Sequence, residues 1–154
     1  MLFRSAPPGG GVEVACAITL ADGVTGLADP RTRGAPPGER YPHVLVGRQQ
    51  FARVSLDLRT VREVGRLLIV AVSSTRAPIP WGGTLLLATH SGDRIEIPLD
   101  PVGTAPVAAV ASLHQVEGEL VVRAELRAAA TVREACEAFG YEALTWLDAW
   151  TPLG

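Results

Sequence analysis

Lysine is absent: all 14 basic residues are arginine. The two side chains differ as point charge and planar fork. Beside the abundant Ala, Gly, Pro and Val, the bias reads as the composition of a GC-rich bacterial source, not as function. Charge is sparse, with 19% charged residues and a net charge of −2. That excludes a nucleic-acid binder acting by bulk electrostatics. No apolar run approaches the roughly 20 residues of a membrane-spanning helix, so no membrane partner is expected. The start, Met1-Leu2-Phe3-Arg4-Ser5-Ala6-Pro7-Pro8, has no apolar h-region of a secretory signal, and the expected compartment is the cytoplasm. Cysteine is scarce: Cys16 and Cys136 stand in neither a Cys-x-x-Cys nor a zinc spacing. Each falls on an apolar stripe and is expected as a buried thiol, with a disulfide as the alternative.

Motifs of catalysis are missing as well. There is no Walker loop, no dinucleotide glycine fingerprint, no His-Glu-x-x-His and no Gly-x-Ser-x-Gly. Gly9-Gly10-Gly11 precedes a strand rather than a helix, so it is linker and not a phosphate cradle. His43, His90 and His114 are far apart and have no second ligand type at a metal spacing. Asp57, between Leu56 and Leu58, reads as a solvated strand residue. Glu117 and Glu119 flank a glycine and read as a hairpin tip. Trp81 reads as a plug at the end of the core, with a stacking platform as the alternative. No catalytic residue is assigned, and an enzyme is not expected.

What remains is a chain of 154 residues, 47% of them hydrophobic, enough for one domain with a real core. Residues 1–11 read as a flexible tail. Val12, Val14, Cys16, Ile18 and Leu20 alternate on one face of a half-buried strand. Asp22-Gly23 signals a tight turn, with a short strand after it. Asp29 to Pro42 has no period and reads as a long loop. Phe51 to Leu58 alternates again, and Arg66 to Ser73 is apolar on both faces. Two hairpins follow, around Ser91-Gly92-Asp93 and around Glu117-Gly118. Thr131 with Glu134 forms a capping box. Val132, Ala135, Cys136 and Phe139 then mark one helix face, and Gly140 stops it. A second short helix is expected over Glu142 to Trp150. The predicted fold is an all-β antiparallel two-sheet sandwich with a C-terminal helix, spanning residues 12–141, with a helical extension over 142–154.

The order of these elements carries a resemblance. Val54-Ser55-Leu56-Asp57-Leu58 leads to the central strand Arg66-Leu67-Leu68-Ile69-Val70-Ala71-Val72. Gly92-Asp93-Arg94-Ile95-Glu96-Ile97, the small-residue strand Ala108 to Leu113, and the hairpin Glu117-Gly118-Glu119-Leu120 follow. A helix closes with Phe139-Gly140-Tyr141. This succession, over about residues 50 to 141, resembles the TerD-like family of tellurium-resistance and stress proteins. The resemblance implies a β-sandwich, a binding or scaffold role in a bacterial stress system, and calcium held by acidic residues in the N-terminal half.

Here the chain departs from the pattern. The Asp-x-Asp pair that the resemblance implies on the first strand falls on Val12-Glu13-Val14-Ala15, so Glu13 alone is a remnant. The acidic glycine-rich loop falls on Arg31-Thr32-Arg33-Gly34 to Arg40, which is net basic. Ca²⁺ takes six to eight oxygens, so calcium binding is expected to be lost and no cofactor is assigned. Beyond the helix, Trp146, Leu147 and Trp150 form a stripe, read either as a lid on an open sandwich end or as contact with a protein partner. That partner would be another family member or a second copy. Two readings stand beside this one. The first is a small-ligand binder or enzyme with a pocket near Trp81, His90 and the Asp29–Pro42 loop. The second, an immunoglobulin-like adhesion domain, is disfavoured because there is no core Cys…Trp…Cys arrangement.

Overall fold

The computed structural model describes residues 2–4, 11–35, 44–48, 52–89 and 91–153. In chain order it forms β1 (Leu2–Arg4), β2 (Val12–Leu20), β3 (Thr25–Ala28), β4 (Gly34–Ala35), β5 (Val44–Arg48) and β6 (Ala52–Leu56). A 3-10 helix at Leu58–Glu63 leads into β7 (Val64–Ser73), β8 (Ile79–Pro80), β9 (Thr84–Ala88) and β10 (Arg94–Pro98). A 3-10 turn at Asp100–Val102 precedes β11 (Thr104–Ala105), β12 (Val107–Val116), β13 (Glu119–Ala129) and the helix α1 (Val132–Ala138).

Among the described residues, the two main sheets run β13-β12-β7-β2-β3 and β10-β9-β1-β6-β5-β4, and a small third sheet pairs β11 with β8. All described pairings are antiparallel. The core between the sheets takes Val14, Cys16 and Ile18 of β2 and Leu67, Ile69 and Ala71 of β7. Val46, Val54, Leu85, Leu87 and Ile97 face them from the other sheet. This is the all-β sandwich with a C-terminal helix that the periodicity predicts. Removing one of these side chains, as in Ile69→Ala, would cost about 3 kcal/mol.

The strand β2 is not half-buried. Its opposite face, Ala15 and Ala17, joins Leu68, Val70, Val72, Val107 and Ala109 in a second core beneath α1. Small alanines on that face look neutral in sequence, but they are what a helix needs to approach a sheet closely. The five-stranded sheet is therefore the middle of three layers.

A bulge in β12 sets which side chains reach the outer layer. The register shifts between Ala109 and Ala111, and Val110 and Ala111 both enter the inter-sheet core. Odd residues face outwards before the bulge, and even residues, Ser112 and His114, face outwards after it. Without the extra residue Leu113 would turn to solvent. On the facing strand, Leu126 takes φ 50 and packs on the core.

Four further expectations are corrected. The stretch Asp29 to Pro42 is not wholly a loop, because Gly34–Ala35 is a strand paired with β5; residues 36–43 lie outside the described set. The first eleven residues are not wholly a tail, because Leu2–Arg4 is a strand between β9 and β6; residues 5–10 lie outside the described set. Asp57 is not a strand residue; it caps the 3-10 helix, accepting from the Arg59 amide at 2.9 Å. The extension 142–154 contains no second helix within residues 142–153. Asp148 Oδ1 takes the amides of Trp150 and Thr151 at 2.7 and 2.8 Å, and Trp146 bridges back to Pro152. A short acidic side chain competing for backbone donors favours a turn over a helix.

Candidate functional sites at the two ends of the helix

The helix α1 lies across the outer face of the five-stranded sheet, with a polar recess at each end. Its start is held by Thr131 Oγ1, which accepts from the Glu134 amide at 3.1 Å. Glu134 reaches back one residue further than in the usual box, to the Ala130 amide at 3.0 Å. Its end is a Schellman turn: Gly140 donates to Glu137 O and Tyr141 to Cys136 O, each at 3.1 Å. Gly140 is required there, since it has φ 84 and an added Cβ would sit 2.8 Å from Arg66 Nη1.

The recess at the helix start, of about 270 Å³, contains Glu13, Asp29, Arg31, Arg76 and Trp150. Glu13 is on the outward face of β2, opposite Val72. Asp29, buried directly after β3, organises a turn. Its Oδ1 accepts from the Arg31 and Thr32 amides at 2.9 and 2.8 Å, and its Oδ2 from Arg31 Nη2 at 2.9 Å. Burial works against its charge, but these bonds outweigh it and hold the carboxyl below its ordinary range. Arg31 also donates to Thr151 Oγ1 at 3.3 Å, tying the turn to the C-terminal segment. Arg76 stands 5.3 Å over the Trp150 ring.

These residues do not fit calcium. Among the described residues the recess offers two carboxylates, and one of them has both oxygens committed to donors. Two guanidinium groups share the recess, Arg31 and Arg76, where a divalent cation needs several free oxygens. The described residues hold no group of three or more His, Cys, Asp or Glu placed to bind a metal.

The recess at the helix end is a groove of about 350 Å³ against β7, β12 and β13. Arg66, near the start of β7, crosses to the helix end, donating to Phe139 O at 2.9 Å and to Gly140 O. Its guanidinium lies 4.4 Å over the Tyr141 ring. The carbonyl of the C-cap Phe139, which the helix leaves orphaned, and that of Gly140 just beyond it are thereby satisfied by a cation. On the groove floor Ser112 Oγ donates to Glu125 Oε1 at 2.6 Å, with Arg123 Nε 3.5 Å from the same oxygen. His114 and Arg127 complete the polar wall.

The buried thiols and phenol are chemically silent. Cys16 and Cys136 are free, buried thiols, as the apolar stripes predict. Burial pushes both up to about 12, so neither is a nucleophile near neutral pH. Burial also raises the Tyr141 phenol, whose hydroxyl has no hydrogen-bond partner among the described residues.

The other sequence-marked residues are dispersed. Trp81 is a core plug: it is buried, and its Nε1 donates to Ala105 O at 2.9 Å. His43 and His90 lie outside the described residues. Asp93 is held in its hairpin by Ser91 Oγ at 3.0 Å, whereas Arg31 lies in the recess beside Trp150. Trp146 and Trp150 are half-buried against the core under α1, while Leu147 between them is 68% exposed. Sequence reasoning missed Asp29, Arg66, Ser112, Glu125 and Arg127. Asp29-Pro30-Arg31-Thr32 does carry a readable turn signal. The groove residues carry none, because they come from three strands and meet only through cross-strand register, with the β12 bulge setting the facing of Ser112.

No family model matches the chain, and no curated protein matches it. A crystal structure of a protein of unknown function, SAV2460, has the same fold: TM-score 0.59 at 12% identity, over 84% of this chain and 86% of that one.

Proposed function

We propose that this chain is a non-enzymatic binding or scaffold module of the TerD-like kind, acting in the cytoplasm in a bacterial tellurium-resistance or stress-response system. In this reading its calcium site has been replaced by ion pairs, and it works by engaging a protein partner: another member of that family, or a second copy of itself. The observation that carries the reading is the state of Asp29. A carboxylate in the N-terminal half is buried, ionised and committed to Arg31 and Thr32. The acidic recess has become a structural fastening. The C-terminal segment supports the partner role. It turns back on itself through Leu147 N to Thr151 O at 2.8 Å and Leu153 N to Thr145 O at 2.9 Å. That turn presents Leu147 and Leu153, 68% and 50% exposed.

Two measurements test it. Calorimetric titration with CaCl₂ should show no heat of binding; micromolar affinity would sink the loss of calcium. Affinity capture from the native host should recover TerD-like proteins or the chain itself with wild type, and lose them with Leu147→Asp. Capture of neither, or the same set with both proteins, would remove the partner reading.

A further inference from the structure

We propose that the groove at the helix end binds a small oxyanion, a phosphate monoester or carboxylate attached to a compact apolar body. The charges favour it. Arg66, Arg123 and Arg127 share the groove with a single carboxylate among the described residues, Glu125. That carboxylate is already matched by Arg123 and Ser112. Arg66 and Arg127 therefore supply two positive charges that no carboxylate among the described residues balances. They stand out in a chain whose net charge is −2. A local cationic surplus in a recess concentrates anions against the overall field.

The geometry of the donors favours it further. The Arg66 guanidinium is fixed by two backbone carbonyls and the Tyr141 ring. It has five N–H donors, and the two carbonyls leave donors over. A rigid planar fork of this kind pairs with carboxylate and phosphate oxygens at little further ordering cost. Arg127, on the exposed face of β13, makes no ion pair with any described residue and is free to close on the second oxygen. The walls supply the rest of the ligand's shape. Phe139 and Leu68 line the same groove beside the cations, and a volume of about 350 Å³ suits a small molecule with one charged end.

This site is independent of the partner surface at Leu147, so either can fail alone. The test is calorimetry on the full chain with phenyl phosphate, benzoate and inorganic phosphate, and with benzyl alcohol as the uncharged probe. Phenyl phosphate or benzoate should saturate below about 10 mM and weaken with added salt, and benzyl alcohol should not bind. The ratio of phenyl phosphate to benzoate affinity separates a phosphate ligand from a carboxylate one, and inorganic phosphate alone measures what the apolar body adds. Arg127→Ala should weaken binding about tenfold, the loss of one charge-assisted hydrogen bond. Arg94→Ala, an exposed arginine paired with Glu96 on the other sheet, should leave it unchanged. No saturation with any anion overturns the proposal, as does equal loss in both variants, or none with Arg127→Ala.

Discussion

The two ends of α1 rest on the same sheet face and use the same residue types, yet they are built for opposite outcomes. At the helix start, Glu13 and Asp29 stand with Arg31 and Arg76, so charge is balanced and the buried acid is fully bonded. At the helix end three arginines meet one glutamate among the described residues, and one of the three, Arg66, is fixed by backbone carbonyls. A balanced cluster around a buried acid fastens a loop to the domain; an unbalanced, half-open cluster leaves binding capacity over. Charge composition alone does not separate a structural site from a binding site. What separates them is how many of the acceptors the fold has already supplied.

The comparison can be broken most severely at Arg66. Arg66→Met removes the cation from Phe139 O and Gly140 O and from the Tyr141 ring. It should cost about 3 kcal/mol, since two acceptors lose a charged donor, and urea unfolding would read the loss. At the opposite end, Asp29→Asn weakens the charge-assisted bonds of the turn and should cost about 2 kcal/mol. The pH dependence sharpens that result. Because the folded carboxyl lies below its ordinary value, its contribution is full above the unfolded value of about 3.9. It is lost as pH falls from there through the lowered folded value. Asp29→Asn should flatten thermal stability in that acid window and leave the slope above pH 6 alone.

A smaller effect is expected from Thr131→Ala, which removes the helix-start cap and should cost about 1 kcal/mol in thermal unfolding. The smallest comes from Arg127→Ala, which should alter stability by less than about 0.5 kcal/mol. If Arg127→Ala destabilised the domain as much as Asp29→Asn, the groove would be a fastening too, and the contrast between the ends would vanish.

Much of the sandwich was legible in the sequence because its strands are either alternating, like Val12 to Leu20, or apolar throughout, like Arg66 to Ser73. Turn glycines marked the hairpins, and Thr131 and Gly140 marked both ends of the helix. The failures have separate causes. The stripe Trp146, Leu147 and Trp150 mimics a helical period, but Asp148 and Pro152 divert the backbone into turns. Leu2–Arg4 is too short to carry a period, and its strand partners lie dozens of residues away. Of the two candidate sites, Glu13 and the Arg31 region were visible as a depleted acidic pattern. The groove was not, because Arg66, Ser112 and Glu125 converge only through cross-strand register and a one-residue bulge.

The placement of the three tryptophans has a practical consequence. Trp81 lies in the core between the sheets, while Trp146 and Trp150 lie in the layer under the helix. Intrinsic fluorescence therefore reports two separate packing interfaces through one emission band. A Trp81→Phe background would leave an optical signal from the outer layer alone. Its order of loss during unfolding, compared with wild type, would time the release of the helix against the opening of the sandwich.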